Sequence, residues 1–266
     1  MKEIKHVVMF STGLSSAYLA NWVIQQYGKE NTVLFFTDTL WEDEDNYRFM
    51  YEVSKYLGLP ITTYTDGRSP DEVFTERRLI KTYYTAPCSL ELKMKQTVIF
   101  VETLRLEGYE PILYFGIGHK EKQRAPRIAK NYAHHCIEKV RCRFPFIKID
   151  KGNRLNNDYF TQVIQEQWGI KRPRMYEYGF SHANCGGRYV KAGIKHYELL
   201  FKVWPERFKQ QEEMERKFMR DINEYTILKR NGKPYSLEEL RKEIERNKGS
   251  QLSFSDYEDI PCACVV

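Results

Sequence analysis

No apolar run in this chain approaches the roughly 18 to 20 residues that a membrane span requires, which excludes a transmembrane helix. The opening Met1-Lys2-Glu3-Ile4-Lys5-His6 lacks the apolar core of a secretory signal, and a cytoplasmic address is expected. Internal repeats and low-complexity stretches are absent as well. Cysteine is scarce: Cys88, Cys136, Cys142, Cys185, Cys262 and Cys264 are unevenly placed among 266 residues. Without a secretory context, that spacing excludes a disulfide framework and leaves free thiols, metal ligands or redox groups.

Hydrophobic residues make up 42% of the chain and charged residues 29%, an ordinary balance for a globular protein of one large domain with or without an appendage. The net charge of +6 conceals a segregation. Residues 29–76 hold four basic residues against eleven acidic, and residues 119–154 hold eleven Lys and Arg against three acidic. Lys171-Arg172-Pro173-Arg174 adds to the basic side. Like charges at that density repel unless an anion lies nearby, so an anionic substrate or a nucleic acid is expected at 119–154.

The apolar pattern alternates between short β-branched runs and segments of helical period. Strands are expected at 5–10, 32–37, 60–64, 111–115 and 143–149, with helices at 14–27, 45–57, 91–106 and 156–168. Such alternation predicts an α/β fold: a Rossmann-like, doubly wound, mostly parallel five-stranded sheet over residues 1–204. Residues 205–266 read as a helical C-terminal extension, with helices at 205–224 and 236–246 around the turn Asn231-Gly232-Lys233-Pro234. Ser236-Leu237-Glu238-Glu239 fits a capping box, and the tail ends Pro261-Cys262-Ala263-Cys264-Val265-Val266.

Ser11-Thr12-Gly13-Leu14-Ser15-Ser16 lies where the first strand meets the first helix. Small residues permit a tight turn there, and a helix start presents unpaired N–H groups to an anion. Asp38 ends the second strand, within reach of a ribose hydroxyl or a magnesium ion. Together these residues resemble the PP-loop superfamily, whose fingerprint after the first strand is Ser-Gly-Gly-x-Asp-Ser. Thr12 stands for one glycine of that fingerprint and Ser15 for its aspartate.

Further segments are similar to the phosphoadenylyl-sulfate reductase-like branch: Asp38-Thr39-Leu40-Trp41-Glu42, Pro87-Cys88-Ser89-Leu90-Glu91-Leu92-Lys93, Gly116 through Arg124, and Gly179 through Gly187. The Glu-Cys-Gly-His tail of true reductases is absent, which argues against a sulfate-assimilation enzyme. The resemblance implies that Ser11, Thr12, Gly13, Ser15, Ser16, Asp38, Lys93, Gly116, Glu121, Arg124 and Arg127 bind ATP or a phosphoadenylyl-sulfate-like nucleotide. It implies catalytic roles for Cys185 and Ser15, in adenylation or in sulfur transfer. Cys88, Cys185, Cys262 and Cys264 are the thiols that an iron–sulfur cluster or zinc would draw on. A non-catalytic module that binds nucleotide or nucleic acid is the alternative, and a homodimer is open to either. The histidines 134 and 135 beside Cys136 and Cys142 do not have zinc-site spacing, and a buried thiol with solvated imidazoles is expected there.

Overall fold

The structure is a computed structural model that describes residues 2–150, 152 and 154–247. Its centre is a five-stranded, all-parallel sheet in the order β3-β2-β1-β4-β5. The strands are β1 (Glu3–Met9), β2 (Thr32–Asp38), β3 (Ile61–Thr65), β4 (Tyr109–Tyr114) and β5 (Arg141–Arg143). Helices α1 (Leu14–Tyr27), α2 (Glu44–Leu57), α3 (Pro70–Arg77) and α4 (Lys95–Leu106) connect the first four strands.

Period-two alternation sends neighbouring strand residues to opposite faces, and both faces are covered. Val8, Leu34 and Ile112 pack under α1 and α2 with Leu14, Phe49 and Val53. Val7, Phe35 and Leu113 face the other way, against Phe100 and Val101 of α4 and against Ile128 and Tyr132 of α5 (Ala125–His135). Between β5 and the C-terminal region the chain forms α6 (Pro145–Ile149), α7 (Asn157–Gln162) and α8 (Arg174–Glu177).

The fifth strand differs from expectation. It occupies Arg141–Arg143, ahead of the expected 143–149, and Pro145 opens α6. Proline has no N–H for a ladder and fits the first helical turn, where none is needed. The expected helices at 91–106 and 156–168 each contain a π-helical stretch, Ser89–Met94 before α4 and Val163–Gln167 after α7.

The C-terminal region holds α9 (Ile194–Val203), α10 (Pro205–Asp221), a hairpin of β6 (Leu228–Arg230) with β7 (Lys233–Tyr235), and α11 (Leu237–Asn247). Asn231 and Gly232 both take positive φ, 53° and 78°, as a two-residue hairpin turn with right-handed strands requires. The capping box at α11 forms: Ser236 N donates to Glu239 Oε2 at 2.7 Å, and Glu239 N to Ser236 Oγ at 3.2 Å. Phe208, Phe218, Leu237 and Leu240 share one apolar cluster with Trp41, Phe180 and Cys185. That cluster joins the extension to the segment that follows β2. Among the described residues, no helix is long and apolar enough to cross a membrane.

Candidate functional site

The strand order reverses between β1 and β4: the chain leaves β1 toward β2 on one side, while β4 pairs on the other. At the carboxyl ends of these two strands the loops diverge, which is where open α/β sheets collect ligands. A cavity of about 470 Å³ opens there. Its floor is Ser11, Gly13 and Ser15 at the start of α1, and its side is Gly116 to Gly118 after β4.

The first loop is built by hydroxyls. Ser16 Oγ accepts from Ser11 N at 3.1 Å and donates to the Gly13 carbonyl at 2.8 Å. Thr12 Oγ1 donates to the Ser11 carbonyl at 2.7 Å. Thr12 and Ser16 are buried with these hydroxyls engaged inside the loop. The tight turn falls on Thr12, with φ 58°, whereas Gly13 has an ordinary φ of −90°. A β-branched residue in the left-handed region costs roughly 1–2 kcal/mol. Thr12 thus holds a backbone shape that a glycine would take without strain. Gly13 matters for space: a Cβ there would stand 3.3 Å from Tyr176 Oη, across the cavity floor. No acidic residue lies in the first turn of α1, and no side chain caps it.

Gly116 presses on that turn. A Cβ at Gly116 would lie 3.1 Å from the Ser15 carbonyl oxygen and 3.2 Å from its carbon, both backbone atoms. Gly116→Ala is therefore expected to lower stability by about 1–3 kcal/mol through overpacking. A urea titration reads this directly, and an unchanged midpoint would show that the two loops separate freely.

Arg124 closes the cavity from the 3-10 turn His119–Arg124 and is only 7% exposed. Its Nη1 donates to the Glu121 carboxylate, while Nε and Nη2 are buried with no hydrogen-bond partner. Lys120 and Glu121 also line this wall. Phe146, Phe160 and Tyr176 form an aromatic wall, and Ser181 to Asn184 the rim.

Other residues singled out from the sequence lie off the cavity. The Asp38 carboxylate accepts from Leu40 N at 2.8 Å and from Tyr47 Oη at 2.9 Å, bracing the loop after β2. Arg127 is exposed on α5. Lys93 Nζ sits 4.0 Å from the carboxylate of Glu42. Burial pushes the Glu42 carboxyl up, opposed by Lys93, by the Cys185 N–H and by the Asn46 amide.

Cys185 is buried one residue beyond the rim, and its N–H donates to Glu42 Oε2 at 3.1 Å. It begins a left-handed turn with Gly186 and Gly187, at φ 56°, 53° and 84°. A Cβ at Gly186 would come within 2.7 Å of the Trp41 carbonyl, so glycine is required there. Cys88 packs against the same apolar cluster as Cys185, and burial pushes its thiol up to about 11. Cys262 and Cys264 lie outside the described residues. Among the described residues no group of three or more His, Cys, Asp or Glu can hold a metal ion. Cys136 is buried and His134 and His135 are exposed.

Sequence reasoning missed Phe146, Asn156, Asn157 and Phe160, which reach the cavity from segments read only as a strand and a helix, and Tyr176, which lies in no element read from the sequence. The Gly179–Gly187 segment was the one signal pointing toward the rim.

No protein-family model matches the chain, and no curated protein matches it. Among solved structures, the chain is similar to that of the U34-tRNA thiolase NcsA from Methanococcus maripaludis with its 4Fe-4S cluster. Identity is 16%, the TM-score is 0.38, and the match covers 96% of this chain and 85% of that one. A likeness of that degree says nothing about the chemistry of this chain's site.

Proposed function

We propose that the cavity binds an adenine nucleotide, with its phosphates at the start of α1 and its distal anionic group on Arg124. The observation that carries this reading is the pair of unpartnered, buried N–H groups on Arg124, Nε and Nη2, beside the open first turn of α1. A guanidinium stays charged when buried, and each donor left unpaired costs about 1–3 kcal/mol. A phosphate or sulfate would satisfy both donors at once, in the bidentate manner that arginine favours. Backbone N–H groups of α1, with Ser11 and Ser15, suit the inner phosphates. Phe146, Phe160 and Tyr176 supply flat apolar surface for a purine.

The chemistry we propose is adenylation, or sulfur transfer or reduction on an adenylyl-sulfate-like or nucleobase substrate. Ser15 offers a neutral hydroxyl where the PP-loop fingerprint has a carboxylate, and as a donor it would orient a phosphate oxygen. Cys185 is the nearest thiol to the rim along the chain, and it would serve as the sulfur nucleophile. In the described residues, Cys88 and Cys185 are the thiols left for an iron–sulfur cluster or zinc, two where a structural site uses four.

The basic 119–154 segment favours a second reading, a module that binds nucleotide or nucleic acid without turnover. Incubation with ATP, and separately with phosphoadenylyl sulfate in the presence of a dithiol as the two-electron reductant, tests the first reading. Release of AMP with pyrophosphate, or of adenosine bisphosphate with sulfite, supports it. Nucleotide binding without either product supports the module, and no nucleotide binding contradicts both uses of the cavity.

A further inference from the structure

Away from the cavity, the segment between α3 and the Ser89–Met94 turn carries two adjacent tyrosines turned outward. Tyr83 is 89% exposed and Tyr84 67%. Their rings meet edge to face, 5.0 Å between centroids and 89° between planes. Edge-to-face contact leaves ring faces open to a third planar group.

The backbone beneath them is pinned. Thr82 N donates to the Thr85 carbonyl at 2.7 Å, and Thr82 Oγ1 accepts from Tyr84 N at 3.2 Å and Thr85 N at 3.0 Å. Lys191 Nζ donates to the Tyr83 carbonyl at 2.8 Å, and Lys81 Nζ to the Val190 carbonyl at 2.6 Å. Tyr225 Oη donates to the Lys81 carbonyl at 2.9 Å. Two large apolar rings are thus held in water on a fixed base, an arrangement with no folding benefit of its own.

The base is positively charged. Burial, and then the charges of Lys191 and Lys229, bring the Lys81 amine down to about 8, against an upward pull from Glu215. Glu215 itself is buried, and its carboxylate accepts from Ile227 N and Leu237 N, so it offers little negative surface. Cys88 lies four residues after Tyr84, and residues 190–191, to which the loop is tied, follow Cys185 closely.

We propose that Tyr83 and Tyr84, with the lysines of their base, Lys81 and Lys191, form a stacking platform for single-stranded nucleic acid. The argument is one of matched chemistry. Open tyrosine faces take planar groups, the lysines take a repeating anion, and a single strand offers both along one chain. A duplex hides its base faces, and an acidic peptide presents charge without a planar group at each step.

The test uses the full chain and fluorescein-labelled oligouridylate and oligothymidylate of about 12 nucleotides, followed by anisotropy at roughly 50 mM salt. The wild type should bind at least one of them, more weakly as salt rises. Tyr83→Ala with Tyr84→Ala should weaken binding at least about tenfold, since stacking is worth roughly 1–3 kcal/mol per base. The paired Tyr→Phe variant keeps the ring faces and should bind within about twofold of wild type. Failure of the wild type to bind either strand overturns the proposal. So does an alanine variant that binds like wild type, or polyglutamate that displaces the strand as well as unlabelled oligonucleotide does. ATP affinity measured on the same variants reads the cavity separately, so either reading can fail while the other stands.

Discussion

Asp43→Asn should unfold at a much lower urea concentration than the parent protein, with a stability loss of about 3 kcal/mol. Asp43 is fully buried, and its carboxylate holds three elements at once. Arg174 Nε and Nη2 donate to it at 2.8 and 2.9 Å, Arg207 Nη2 lies 2.7 Å away, and Asp45 N donates at 3.0 Å to cap α2. Arg207 in turn donates to the Gly186 carbonyl at 3.1 Å, which links α10 to the Cys185 turn. Removing one partner of a buried pair leaves the other charge uncompensated, at about 3–5 kcal/mol. The lower end applies because the Arg174 and Arg207 side chains are 34% and 22% exposed and can regain water.

The same group sets an acid limb. Burial alone would raise the Asp43 carboxyl's pKa, but hydrogen bonds from Arg174 and Arg207 outweigh it and hold the group below its ordinary value. A depressed pKa contributes stability that is fully present above the unfolded value and is lost as pH falls through the folded one. Stability measured between neutral pH and the acid range should fall less steeply in Asp43→Asn than in the parent. Parallel curves would mean that other carboxylates govern acid unfolding.

Arg124→Ala should lower ATP affinity about a hundredfold, roughly 2.7 kcal/mol, and adenosine affinity less than about threefold. The asymmetry follows from geometry. Nε and Nη2 are the groups without partners, and a charged donor pair favours an anionic acceptor over a neutral one. The variant should fold, because the one side-chain bond Arg124 makes among the described residues is to Glu121, whose side chain is 30% exposed and can hydrate. Arg124→Lys should recover part of the loss, since a point charge replaces a planar fork. Equal losses for ATP and adenosine would assign Arg124 to the purine or to the fold.

Much of this architecture was legible because burial on both faces of a parallel sheet leaves short, unbroken apolar runs. KHVVMF and TVLFFT read as strands for that reason, and the 3.6-residue period at 14–27 places α1 to the residue. β5 was not legible. Three residues, Arg-Cys-Arg, carry no period, and the apolar run that follows them belongs to a helix opened by Pro145. The π-helical stretches are only six and five residues long, too short to set a period of their own in the apolar pattern.

In the site, the Ser11–Ser16 turn could be located from residue type alone. Which hydroxyls face the cavity could not, since that depends on Thr12 taking positive φ and on Ser16 bonding Ser11 and Gly13. The basic character of Arg124 was visible, but its missing partners are a property of packing. Tyr176, Phe146 and Phe160 arrive from distant segments, and no local pattern announces that they converge.

The central claim is that the start of α1 receives phosphate, and calorimetry of ATP binding to Gly13→Asp tests it most directly. Gly13 has ordinary φ, so aspartate can be accommodated by the backbone, and its carboxylate would stand on the cavity floor near Tyr176 Oη. ATP affinity should fall at least tenfold, about 1.4 kcal/mol, in a variant that melts like wild type. A folded Gly13→Asp protein that binds ATP as tightly as the parent would place the phosphates elsewhere and contradict the assignment.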